Sequence, residues 1–226
     1  MNSSLLRAYI AVATVAAMLA IASLPLDGLP QSAVVVAALA LCSAVIGSRS
    51  IRLPGTGLRV TASDLFVFVA LAGPAPLAAP LAAAAGTLGS EWGALRERKL
   101  RRSIFNLAVV PLSAALASWV VLAISSSFSG RAVPILAVVA GSVVYLSVNL
   151  VLVAGAVALE GRRPFFATVA SAGPWALVSV LASAVMGLGL HAVVSGVGTP
   201  ALCLGFAVIP PTSAYFRSHA RPRVEA

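Results

Sequence analysis

Residues 91–106 read EWGALRERKLRRSIFN. Five basic side chains, Arg96, Arg98, Lys99, Arg101 and Arg102, stand here between two long apolar runs. Charge packed this densely does not enter lipid, so the stretch fixes one face of the molecule in water. Asn106 follows at the mouth of the next apolar run. The fold turns on whether the remaining charge sorts to that same face.

Composition sets the frame. Of 226 residues, 60% are hydrophobic and 9% charged, against roughly 25% charged in a soluble domain. Such a chain cannot cover a water-facing surface. It reads as an all-α, polytopic transmembrane helical bundle of six to eight spans, at roughly 20 residues each. A single transmembrane domain is expected over residues 1–216, with a short basic cytoplasmic tail at 217–226. The net charge is +9, nearly all of it arginine. In a soluble protein that balance would point to nucleic acid. Here the basic residues lie in short loops between apolar runs, so membrane lipid is the expected partner and nucleic acid is not. Cys42 and Cys203 lie inside apolar runs with no CxxC or Cys/His spacing, which implies neither a disulfide framework nor a zinc site.

Working outward, apolar runs occupy residues 5–24 and 31–48. Ala20-Ile21-Ala22 fits a signal-peptidase site, but alanine is so abundant that the match carries no weight, and the first helix is read as retained. Residues 49–63 form a basic loop or short interfacial hairpin with a Pro54-Gly55-Thr56-Gly57 turn. Thr61-x-x-Asp64 resembles a capping box, with Asp in place of Glu, and should start a helix at Ala62 or Ser63. That helix reaches only Ala72 before Gly73-Pro74-Ala75-Pro76 breaks it. Eleven helical residues rise about 16 Å, short of a hydrocarbon core near 30 Å. With the next run, 77–94, it forms either two full spans or a broken, re-entrant pair. Irregular backbone at membrane depth survives only inside protein or beside a wet cavity, which makes this pair a site candidate. Ala78, Ala82, Gly86 and Ser90 recur every four residues and would let a neighbouring backbone approach closely.

Further runs cover 103–125, with a kink expected at Pro111, then 133–159, 174–194 and 200–215. Residues 165–172 are expected along the interface. With the amino terminus in the cytoplasm, the inside segments hold Arg7; Arg49, Arg52 and Arg59; the five basic residues at 96–102; Arg162 and Arg163; and Arg217, Arg221 and Arg223. Of the 15 basic residues only Arg131 falls outside. This sorting places both termini in the cytoplasm, and the abundance of Ala and Gly with Arg in excess over Lys points to a high-GC bacterial genome, hence to a bacterial inner membrane.

No catalytic signature is present: no G-x-S-x-G, H-E-x-x-H, Walker loop or kinase motif. The expectation is a protein without enzymatic activity, cofactor or metal. His191 and His219 sit near a helix end and in the tail, and Trp92, Trp175, Tyr9 and Tyr215 read as interface anchors. Polar stripes matter more. Ser103, Asn106 and Ser113 share one face of the fifth run, and Ser142, Tyr145 and Asn149 one face of the sixth. Asn149 lies deep in apolar sequence, where lipid offers its amide nothing. One reading is interhelical hydrogen bonding; the other is a polar pocket between the two helices that binds a small ligand. Asp64 and Glu91 border apolar runs on the basic side. Each is a helix-end or interfacial acid, or faces a cavity and joins Asn106, Ser113, Ser142, Tyr145 and Asn149 as a ligand-binding residue.

The order of these features resembles a known family. A basic loop, a capped Ser63-Asp64-Leu65-Phe66 helix, a Gly-Pro break and a charged loop precede Arg102-Ser103-Ile104-Phe105-Asn106 and Val144-Tyr145-Leu146-Ser147-Val148-Asn149. Over residues 51–211 the chain is similar to the multi-helix membrane sensor modules that precede GGDEF or HD-GYP output domains in bacterial cyclic-di-GMP signalling proteins. That family carries a polar residue, often Gln, about one turn after the Phe-Asn pair, where this chain has Val109 or Val110. The resemblance implies a stand-alone or truncated input module that binds a small ligand and acts through a cytoplasmic or membrane partner protein. The plan also looks like the substrate-binding subunits of energy-coupling-factor vitamin transporters, six-helix proteins whose partner supplies ATP hydrolysis. Ala13-x-x-x-Ala17 matches their small-residue contact pattern.

Overall fold

The computed structural model describes residues 3–48, 51–52, 59–60, 62–97, 100–130 and 132–204. Seven α-helices lie among them: α1 (Ser3–Ala22), α2 (Leu29–Gly47), α3 (Asp64–Leu71), α4 (Ala78–Arg96), α5 (Leu100–Ser127), α6 (Val133–Leu159) and α7 (Phe165–Val197). A 3-10 turn, Thr199–Cys203, follows α7. Between α2 and α3, Ile51 pairs with Val60 and Arg52 with Arg59 in a two-stranded antiparallel ladder, the hairpin form of the basic loop.

Among the described residues five helices, α1, α2, α5, α6 and α7, are long and apolar enough to cross a membrane. The chain is a multi-pass, all-α membrane protein, but this count is below the six to eight spans expected. The α3–α4 pair accounts for two of the runs not counted, and most of the eighth run lies outside the described residues. The eight residues of α3 rise about 12 Å. In α4, Gly86, Thr87, Gly89, Ser90 and Glu91 dilute an otherwise alanine-rich helix.

The shortest helix is also the most enclosed. Leu65 through Leu71 are all buried, with Phe66 and Phe68 fully shielded. An all-round apolar helix belongs inside a bundle. Its end groups are met locally: the Leu65 and Phe66 amides donate to the Ala62 and Ser63 carbonyls, and the Ala72 and Gly73 amides to those of Phe68 and Ala70. The helix ends at Leu71, where the Gly73–Pro76 break is expected to stop it. Its first residue is Asp64, just past the expected start, and Ser63 at the cap position makes no side-chain cap bond. Thr61 of the capping box lies outside the described residues.

Close backbone approach fixes α4 against α2. A Cβ on Gly47 would collide with the Gly86 carbonyl, and one on Gly89 with the Ala44 carbonyl. The Ser43 hydroxyl donates to the Ala82 carbonyl at 2.7 Å inside the contact. Gly28, ahead of α2, meets the Pro74 carbonyl ahead of α4, so with these contacts near their later turns the two helices run parallel. The small-residue stripe on α4 thus does what its spacing predicts.

The remaining helices pack up and down. Gly141 of α6 faces Ala117 and Val121 of α5. Leu6 of α1, Phe105 and Val109 of α5, and Leu152 and Ala156 of α6 cluster at the basic end. Leu24, Leu77, Ala115 and Leu122 cluster at the opposite end. This arrangement brings Arg7, Arg96, Arg101, Arg102, Arg162 and Arg163 to one end. Arg98, Lys99, Arg131 and the tail with His219 lie outside the described residues.

One expectation is corrected. Residues 165–172 are not a separate interfacial segment but the first turns of α7, whose 33 residues continue through Pro174. A proline in a membrane helix is tolerated where neighbours re-satisfy the freed carbonyl. Of the eighth run, the described start is the 3-10 turn; the rest, with Tyr215, lies outside the described residues. Pro111 likewise sits within a continuous α5.

The α2–α4 contact gives a direct test. Gly47→Val should destabilise the solubilised protein by about 1–3 kcal/mol, the range for overpacking, read as a lowered thermal midpoint. Gly93→Ala, where a Cβ meets nothing within 4 Å, should leave the midpoint unchanged.

Candidate functional site

Two carboxylates enter the bundle, each by a different route. Glu91 lies near the end of α4, and only residues 97–99 separate α4 from α5. So short a connection folds the helices into a tight hairpin and sets Glu91 level with the first turns of α5. Glu91 is only 3% exposed. Asn106 Nδ2 donates to its Oε1 at 2.7 Å and Ser103 Oγ to its Oε2 at 3.0 Å. Arg102 Nε stands 3.9 Å from Oε1, with half its own side chain in the open. At that distance and exposure it adds little. The two neutral donors hold the carboxylate, since hydrogen bonds to a charged acceptor are worth about 1.5–3 kcal/mol each. Glu91 is therefore a buried brace of the α4–α5 hairpin rather than an interfacial acid.

Asp64 opens α3, and its partner is Tyr145, in the middle of α6. The Tyr145 hydroxyl donates to Asp64 Oδ1 at 3.0 Å. Tyr145 is 1% exposed, and its ring meets Phe68 edge-on, with centroids 5.5 Å apart. The half-helix is thus pinned to α6 by one hydrogen bond and one aromatic contact. Asp64 itself keeps part of its surface open.

The other expected residues divide. Ser113 and Ser142 are buried, but each hydroxyl donates to its own helix, at the Val109 and Val138 carbonyls. Both hydroxyl protons are thereby used within their own helices. Asn149 lies one turn along α6 from Tyr145, and its buried Oδ1 has no hydrogen-bond partner. The α5–α6 register explains why. The contacts at Gly141 and around Val109 bring Asn149 level with residues 109–113 of α5. That turn is apolar except for Ser113, whose hydroxyl is already spent.

The structure therefore joins Asn106 to Glu91 and Tyr145 to Asp64, leaves one atom of Asn149 unmet, and folds Ser113 and Ser142 back on themselves. Sequence reasoning missed Ser118. Its buried hydroxyl is the other buried side-chain oxygen without a partner among the described residues. A serine in an apolar helix usually bonds a carbonyl one turn back, so nothing in the local sequence marks it.

Several side residues also resolve. Tyr9, expected as an interface anchor, instead donates to the Leu152 carbonyl at 3.0 Å and stacks on Phe105. Trp92 and Trp175 are exposed. His191 has Ser195, one turn away, for company. Glu160 pairs with Arg162 at 2.8 Å on the surface. Ala13 and Ala17 are buried against α5 and its neighbours, so their stripe is used within the chain. No cluster of three or more metal-ligating side chains occurs among the described residues.

The hairpin brace predicts an asymmetry. Asn106→Leu should cost about 1–3 kcal/mol, the price of an unmet buried polar partner. Adding Glu91→Leu should recover part of that loss. Chemical or thermal unfolding of the two single variants and the double closes the cycle, and strict additivity would contradict the pairing.

No family model, no curated protein and no solved structure matches this chain.

Proposed function

We propose that this protein is a non-enzymatic, ligand-binding sensor module of a bacterial inner membrane. It takes a small molecule carrying hydrogen-bond donors beside Asn149 and passes that state to a partner protein at its basic end. One observation carries the reading: the buried Asn149 Oδ1 that no donor satisfies. An unmet buried acceptor costs about 1–3 kcal/mol, and a ligand N–H or O–H would recover that cost. Asp64, partly open and one helical turn away through Tyr145, adds a second acceptor. Polar groups of this kind at membrane depth mark ligand and ion sites. The resemblance to cyclic-di-GMP sensor modules points to a sensing role, but this chain carries Val109 and Val110 where that family has a polar residue, so the ligand site proposed here rests on Asn149 and not on the family pattern.

Transport is the second reading, as the substrate-binding subunit of a vitamin-type transporter. It draws on α3, since interrupted short helices are where transporters build their sites. The Ala13–Ala17 pattern no longer favours it, because α5 covers those residues.

Native mass spectrometry of the gently purified protein should show a co-purifying small molecule. Asn149→Leu should lose it. If the variant keeps the molecule and melts higher than the parent, the amide is not part of a binding site. Uptake by proteoliposomes containing the protein and its partner would favour transport over sensing.

The basic end is placed in the cytoplasm by the positive-inside rule. In a Cys42→Ser, Cys203→Ser background, Ser127→Cys should react with an impermeant maleimide in intact cells, and Arg98→Cys should not. The reverse result inverts the orientation.

A further inference from the structure

A groove at the basic end belongs to neither carboxylate. It runs between the first turns of α1 and α5, holds about 360 Å³, and is lined by Arg7, Ile10, Ala11, Thr14, Val15, Arg101 and Ile104. Its walls are apolar. The one hydroxyl on them, that of Thr14, donates to the Ile10 carbonyl at 2.8 Å and asks nothing of an occupant. Val15 and Ile104 are about half exposed, and Val12, Met18 and Leu19 extend the same apolar surface along α1. The groove therefore opens towards the acyl chains of the surrounding bilayer.

Arg7 and Arg101 close its polar end. Neither takes part in an ion pair among the described residues, where Glu91 and Glu160 are engaged by Arg102 and Arg162. Two guanidinium groups without carboxylate partners, at the mouth of a hydrocarbon-lined trough, match one chemistry. We infer that this groove is a specific site for an anionic phospholipid, whose headgroup phosphate lies between Arg7 and Arg101 and whose acyl chain follows Ile10, Val15 and Ile104. Arginine is suited to this because its planar fork of donors fits phosphate oxygens. A free phosphate would gain the two charges but leave the apolar trough unused. A zwitterionic lipid would fill the trough but carry its own cation into the two arginines. The volume accommodates a stretch of one chain rather than a whole lipid, so the remainder of the lipid stays in the bilayer.

The test compares phosphatidylglycerol and phosphatidylcholine with identical acyl chains, titrated against the full-length protein in detergent and read by native mass spectrometry. Phosphatidylglycerol should be retained preferentially as a single tight adduct. Arg7→Gln and Arg101→Gln should each reduce that preference about fivefold, from roughly 1 kcal/mol per basic residue. The double variant should bring the two lipids close to parity. Arg162→Gln with Arg163→Gln, at the same end but outside the groove, should leave the preference intact. Ile104→Trp, which fills the trough without removing charge, should also weaken the adduct. Thermal midpoints in the same detergent confirm that each variant is folded. Equal retention of the two lipids by the parent protein would overturn the inference. So would a preference that survives the double variant, or one lost equally in the Arg162 and Arg163 control. Displacement of the lipid by millimolar inorganic phosphate would show a simple anion site and reject the lipid assignment.

Discussion

A helix of eight residues cannot cross a bilayer, and an unfinished helix cannot lie bare in lipid. Both follow from the absence of water to satisfy free backbone groups. Much of this bundle answers that constraint on α3. Helices α2 and α4 flank it, with glycines that let their backbones nearly touch. On α7, Gly187 sits where any side chain would strike Phe68. From α6, Tyr145 reaches across to the residue that begins it. The half-helix is wrapped on several sides, and its local end bonds leave little backbone unpaired.

That enclosure shapes the polar chemistry. In water a carboxylate is solvated at no structural cost; inside apolar helices it needs donors in fixed places. Glu91 obtains two from the helix that follows it, and Asp64 obtains one from a helix far along the chain. The first is a local solution that stiffens a hairpin. The second is a long-range tether that positions an interrupted element. They share a residue type and differ in what they hold together. Asn149, on the same face as the tether, has no equivalent partner, and this contrast gives it functional weight.

Much of the architecture was legible in residue order. Arginine sorting located the helix ends, because charge and hydrocarbon separate whatever the details of packing. The Gly73–Pro76 break and the small residues of α4 were readable for similarly local reasons. Glu91 and Asn106 flank one basic turn, so their partnership follows from hairpin geometry once α4 and α5 are known. Asp64 and Tyr145 are 81 residues apart, and no periodicity joins such positions. The partners of Ser113 and Ser142 were not legible, because a hydroxyl, unlike an amide, can satisfy itself one turn back on its own helix. Pro174 misled because proline ends helices in water, whereas a membrane bundle can carry a helix through it.

The hydrogen bond from Tyr9 to the Leu152 carbonyl spans 143 residues. During synthesis α1 is therefore made long before α6 exists to receive it. Most of its surface remains lipid-facing even in the finished bundle, so it can wait in the bilayer without exposing much that needs covering. Its tyrosine hydroxyl is the exception, since its acceptor on α6 is made only later. A ribosome stalled before α6 would therefore leave a nascent chain whose α1 has its partner α5 but lacks this one bond.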